Sequence, residues 1–178
     1  MCKKITLLLA LMCMLVVTAF AANKRFTLVI DPGHGGHDAG ARGAISMEKN
    51  INLTVALRFG KYVEQNMPEV RVIYTRKQDV FIPLHERANI ANRANADLFI
   101  SVHTNALPAG KVARGFETYT LGMHRAKDNL DVAMRENSVI SMEKDYQQRY
   151  QGFDPRSSES YIIFEFIQGK NMERSVEL

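Results

Sequence analysis

Three residues of this 178-residue chain have side chains suited to a divalent metal ion, and an α/β fold would bring them together: His34, Glu48 and His103. His34 lies in Asp31-Pro32-Gly33-His34-Gly35-Gly36, a turn-forming cluster that abruptly ends the β-rich apolar run at 26–30 (FTLVI). His103 directly follows a second such run, LFISV at 98–102. Glu48 opens a helical pattern after the glycine loop, where its carboxylate can turn back toward the same point. Two imidazoles and one carboxylate form a catalytic zinc set that leaves a fourth position for water. Taken singly, each residue has a second reading. His34 fits an ordinary turn histidine, and Gly33, Gly35 and Gly36 fit a phosphate-cradling loop. Glu48 fits a helix-dipole partner, and His103 fits a core histidine bonded to backbone.

The elements that must position these residues are read from periodicity. Ile51, Val55, Phe59 and Val63 recur every four residues, which predicts an amphipathic helix from Glu48 to about Asn66, before Pro68. VRVIY at 70–74 predicts a second strand. Leu84, Ala88 and Ala91 repeat the helical spacing ahead of LFISV. This alternation of strand and helix, with continuous apolar strands, indicates an α/β domain whose mostly parallel sheet is covered by helices on both faces. Ligands of such sheets gather at the carboxyl ends of the strands, where His34 and His103 fall. FETYTL at 116–121 reads as a fourth strand, and a polar helix is expected over 124–143. Asp154-Pro155 and Ser157-Ser158 then supply helix-start chemistry for a segment carrying Ile163, Phe166 and Ile167.

Composition sets the setting. Apolar residues make up 46% and charged residues 24%, within the range of one globular domain. Lys3 and Lys4 precede an apolar run that ends in Ala19-Phe20-Ala21, so residues 1–22 read as a cleaved secretory signal and 23–178 as the mature domain. Cys2 and Cys13 both lie in that leader, which leaves the mature chain without a thiol for a disulfide or a metal. Removing Lys3 and Lys4 lowers the net charge from +4 to +2, a balance that argues neither for nor against nucleic acid.

LVIDPGHGGHDAGA, MEKNINL, YTRKQD, LHERANIANRANADLFISVHTNA and GFETYTL stand in this order at these spacings. These five blocks, covering about 28–121, resemble the zinc-dependent N-acetylmuramoyl-L-alanine amidases of bacterial cell walls. The resemblance implies Zn2+ on His34, Glu48 and His103, and hydrolysis of the amide between N-acetylmuramic acid and L-alanine. Peptidoglycan is then the expected partner, an activator protein is a second, and no nucleic acid or stable membrane insertion is expected of the mature protein. It implies an exported protein, periplasmic or bound to the cell wall.

Asn105, two residues past His103, is a candidate substrate contact. His37 is expected to face solvent or substrate, and His85 and His124 to lie on polar helix surface. Arg76 and Arg87 are expected to serve carboxylates or backbone rather than substrate. Some relatives carry an inserted helix over the zinc cleft, and Arg135-Glu136-Asn137-Ser138 occupies the comparable place. Its composition reads as a plain solvent-facing helix and connector.

Family members place the general-base Glu in a late V-E-x-G-F-x-S-N block, and no such block is met before Leu178. No catalytic acid or base is therefore assigned, and Glu177 is not taken for it. The last strand or strands of the sheet are expected to be missing, and with them most of the activity, which would leave a metal- and murein-binding remnant. A zinc carboxypeptidase on a similar scaffold is a further alternative.

Overall fold

The structure, a computed structural model, describes residues 25–104, 114–119, 126–158, 160–161, 174–175 and 177. The elements follow in the order β1 (Thr27–Pro32), α1 (Glu48–Asn66), β2 (Arg71–Tyr74), α2 (Leu84–Arg93), β3 (Leu98–Val102) and α3 (Ala126–Asn137). A 3₁₀ turn (Ser138–Met142) and a short helix α4 (Tyr146–Arg149) follow them. The three strands form one parallel sheet in the order β2-β1-β3. The chain steps from β1 outward to β2, then crosses back over β1 to β3. Parallel crossovers share one hand, so the two opposite steps put α1 and α2 on opposite faces. The point where the direction reverses is the carboxyl end of β1 beside β3, and that is where open α/β sheets form their binding crevice.

On the α1 face, Leu28 and Ile30 of β1 pack with Ala56 and Val63 of α1, joined by Val72, Tyr74, Leu98, Ile100 and Val102. The helix has the predicted limits but a different buried stripe. Ile51 and Val55 are exposed, and the residues facing the sheet are Glu48, Asn52, Ala56, Gly60 and Val63. The apolar repeat is set aside because Glu48 and Asn52 are drawn inward by polar partners at the strand ends. Small residues at 56 and 60 then bring the helix close to the sheet.

On the other face, alternation along β1 presents Val29 and Asp31. Asp31 is buried and accepts from Thr75 Oγ1 (2.5 Å), Ser101 Oγ (2.8 Å) and Arg87 NH1 (2.8 Å), with Arg87 reaching it from α2. Arg87 and Arg76 are both 3% exposed. Arg76 donates to the carbonyls of Pro32, Gly33, Lys49 and Gln78, and Arg87 to those of Pro32, His34 and Ile82. Both arginines thus serve backbone, and Arg87 also pairs with the Asp31 carboxylate, as their sequence context indicated. Asn92 is exposed on α2.

Two expectations are corrected. Residues 116–119 are irregular rather than the start of a fourth strand, and Phe116 is 94% exposed. The predicted helix over 124–143 is α3 followed by the 3₁₀ turn. The leader at 1–22, Asn105, His124, and the apolar positions 163, 166 and 167 lie outside the described residues.

Replacing Arg87 with Met removes the counter-charge of the buried Asp31 and a donor to the carbonyls of Pro32, His34 and Ile82, and is expected to cost about 3–5 kcal/mol in urea unfolding. Ile51→Ser, on the exposed face of α1, is expected to stay within about 0.5 kcal/mol of the parent.

Candidate metal centre

The glycine loop begins where Gly33 N–H extends the ladder to Val102 O (2.9 Å). His34 then takes a left-handed backbone (φ 61°), a conformation that costs a non-glycine residue on the order of 1 kcal/mol or more. Several bonds hold it there. Its carbonyl accepts from Arg87 NH2 (2.9 Å), and its Nδ1 lies 2.8 Å from Asp38 Oδ2. Asp38 is itself buried, and its other oxygen accepts from Gly40 N–H (3.2 Å). With Nδ1 committed to Asp38, Nε2 is the nitrogen His34 presents to the site.

Close approach explains two glycines. A Cβ on Gly33 would stand 2.4 Å from the His103 imidazole, so glycine here leaves room for the second histidine. Gly40 (φ 62°) passes the face of His34, where a Cβ would stand 2.5 Å from Cδ2 and 2.8 Å from Glu48 Oε2.

Glu48 enters from the first turn of α1, which has no side-chain cap and is instead tied to the loop by Glu48 N–H to Ala41 O (2.9 Å). Its two oxygens accept from Ala41 N–H (2.9 Å) and Thr104 N–H (2.7 Å). Asn52, one turn on, spans Gly33 O and Glu48 Oε1 with its amide and accepts from Thr104 Oγ1 (2.7 Å). The carboxylate is thus fixed on three sides, with its remaining lone pairs toward the histidines.

The structure brings His34, Glu48 and His103 together, and it adds a fourth group, Glu136 of α3. One ligand atom from each of the four lies within 4.8 Å of all the others. Glu136 Oε2 is 3.1 Å from His34 Nε2 and 2.9 Å from His103 Nδ1, and the Glu48 oxygens are 3.4 Å from the same two nitrogens. Both nitrogens are buried, and neither has a correctly directed hydrogen bond despite these short separations. Donor atoms about 2.0–2.1 Å from a tetrahedral ion stand roughly 3.3 Å from each other, so unbonded nitrogens and oxygens at this spacing fit an ion better than a hydrogen-bonded cluster.

Electrostatics agree with the geometry. Burial works against protonating His34, yet Asp38, Glu136 and Glu48 outweigh it and raise its pKa to about 11. His103 is likewise raised by Glu136 and Glu48 against its burial. Burial favours the neutral form of Glu136, but His103 and His34 hold it down at about 2, and Glu48 is held well below the usual carboxylate range by the same two rings. Carboxylate charge concentrated at two imidazoles favours a cation there, whether protons or a divalent metal ion.

The other histidines lie elsewhere. His37 is exposed and stacks on Phe81 with ring centroids 4.1 Å apart. His85, expected on open helix surface, is instead engaged by the buried Glu143 (Nδ1 to Oε2, 3.0 Å). The sequence reading also missed Glu136, taking its helix for a solvent-facing connector. No spacing rule links a carboxylate on a polar helix to histidines on distant strand ends, and the one pointer was the position of Arg135–Ser138 where relatives carry an inserted helix.

A family model described as Amidase_3, N-acetylmuramoyl-L-alanine amidase, matches residues 28–175. The chain belongs to this family. It is 49% identical over 90 residues to the endolysin of Bacillus phage SPP1, which covers 51% of this chain and 32% of that protein. It is 30% identical over 154 residues to N-acetylmuramoyl-L-alanine amidase AmiA of Escherichia coli (strain K12), covering 85% of this chain and 50% of the relative. The chain thus spans about a third to a half of the length of these curated relatives. Among solved structures, the N-acetylmuramoyl-L-alanine amidase from Clostridium difficile 630 superposes with a TM-score of 0.51 at 31% identity, covering 67% of this chain and 64% of that one.

A metal entering this centre must displace the proton that the surrounding carboxylates hold on His34. Calorimetry at neutral pH in buffers of different ionisation enthalpy is expected to show proton release on zinc binding, and an apparent affinity that falls as the pH is lowered. Asp38→Asn, which removes the charge that orients His34, is expected to weaken zinc about 10- to 100-fold in competition with a chelator dye, with the fold retained by circular dichroism.

Proposed function

We propose that this protein is a zinc-dependent hydrolase of the amide between the lactyl group of N-acetylmuramic acid and the L-alanine of the peptidoglycan stem. One observation carries the proposal: two buried, undirected imidazole nitrogens meet the Glu48 carboxylate at the sheet's switch point. Family membership supplies the reaction class. His34, Glu48 and His103 would hold the ion, and Asp38 would fix the tautomer of His34. When bound, zinc supplies Lewis acidity, polarising a carbonyl and acidifying water so that a nucleophile exists at about pH 7. Asn105 is proposed as a substrate contact. No residue of the chain is assigned as general base.

Glu136 decides the resting state. Sites with four protein donors are closed structural sites, whereas catalytic ones keep a position open for water and substrate. With Glu136 in the fourth place, α3 acts as a cap that must withdraw before substrate enters. A protein that draws α3 away is the class of activator this arrangement calls for. The same observation favours a second reading, in which the chain holds metal and murein without turnover.

We further propose that residues 1–22 direct export and that 23–178 act in the periplasm or at the cell wall. Among the described residues no helix is long and apolar enough to cross a membrane.

The test is product analysis on purified peptidoglycan. Soluble stem peptides with a free N-terminal L-alanine are expected, and release of a C-terminal amino acid instead would point to a carboxypeptidase. His34→Ala is expected to abolish the reaction. Glu136→Gln is expected to raise turnover, and lower turnover in that variant would end the reading of Glu136 as a cap.

A further inference from the structure

α3 carries Glu136 to the metal centre, and among the described residues it has few close neighbours along its length. Among the described residues it packs closely on the 3₁₀ turn that follows it, and a cavity of about 650 Å³ lies between it and the open face of the sheet. Leu84 and Ala88 of α2, Phe99 and Ser101 of β3, and Ala133 and Ile140 line that space. Among the described residues, the anchors of α3 lie at its C-terminal end. Tyr161 Oη reaches Ala133 O at 3.4 Å, a long contact. Val139 and Ile140 are buried, which makes the turn a stiff connector to the next residue that bonds the body of the fold, Glu143.

Glu143 lies apart from the metal centre, and its side chain is 1% exposed. Its Oε1 accepts from Leu84 N–H (2.6 Å), and its Oε2 faces His85 Nδ1 (3.0 Å) and accepts from Tyr150 Oη (2.9 Å). Tyr150 Oη in turn accepts from His85 N–H (2.9 Å). On the outer side of the ring, Arg149 NH1 lies 3.4 Å from His85 Nε2. One network thus joins the 138–150 segment to the first turn of α2.

The network exists because α2 cannot cap itself. The residue before it is Pro83, whose side chain has no acceptor, so the N–H groups of Leu84 and His85 lack a local partner. Glu143 and Tyr150 supply what the missing cap would have supplied. Such bonds are reversible without unfolding α2, because water can satisfy the same two N–H groups once the segment lifts away.

We propose that Glu143, His85 and Tyr150 form a latch that holds α3, and with it Glu136, closed over the metal centre. The latch turns the missing cap of α2 into a switchable dock. Its consequence for activity rests on the reading of Glu136 as a cap, whereas the mechanical role does not.

Hydrogen exchange on the full zinc-loaded chain, read by mass spectrometry, tests the mechanical role. Glu143→Ala is expected to accelerate exchange over 126–142 by about tenfold or more, the loss expected for hydrogen bonds to a charged group, with 25–104 unchanged outside the first turn of α2, whose Leu84 and His85 N–H groups the network bonds. Tyr150→Phe, a milder change, is expected to act in the same direction to a smaller extent. Unchanged exchange over 126–142 in both variants would overturn the latch, as would loosening spread equally through β1, α1, β2 and β3, since Glu143 would then be a general folding residue. Turnover on peptidoglycan separates the two readings. Faster exchange with raised turnover supports latch and cap together, and faster exchange with unaltered turnover keeps the latch and removes the cap.

Discussion

Three consecutive carbonyls, those of Pro32, Gly33 and His34, turn into the protein where β1 ends, and the structure depends on satisfying them. Arg76 and Arg87 do so from opposite sides, sharing Pro32 O and taking one further carbonyl each. A buried unpaired carbonyl is costly, and a buried guanidinium more so. Each therefore makes the other tolerable. Burial and the nearby charge of Arg87 push the Arg76 pKa down, and Asp31 is the counter-charge bonded to Arg87. With its carbonyl held, His34 can occupy a left-handed backbone and present Nε2 to the crevice. The two arginines thus act on the chemistry through backbone alone.

The fold was legible where a physical period governs it. Buried parallel strands are continuous apolar runs, and FTLVI, VRVIY and LFISV gave themselves away on that ground. The limits of α1 and the existence of α2 followed from the same reasoning. The rotation of α1 did not, because the apolar Ile51 and Val55 are left exposed while the sheet end takes Glu48 and Asn52. A helix shared between a core and a polar site obeys the site first, and periodicity counts only the core. FETYTL failed differently, since alternation alone cannot say that a partner edge lies within reach.

At the site, His34, Glu48 and His103 could be named because each abuts an element end that topology sends to one crevice. Glu136 and Glu143 could not, since both act on groups far away in sequence from a segment whose composition is merely polar. His85 illustrates the same limit. Its place in the first turn of α2 was clear, but the carboxylate that engages it belongs to a different element.

The strand order also governs when the metal centre comes into being. His34, Asp38 and Glu48 are supplied by one local unit, the glycine loop with the start of α1, which can form early because its loop closures are short. His103 arrives only when β3 docks on the far side of β1, the longest-range pairing in the sheet. Until then the chain offers an ion half a site. A metal held by both histidines would therefore be a clasp between β1 and β3, and its tight binding would report that these two strands have paired.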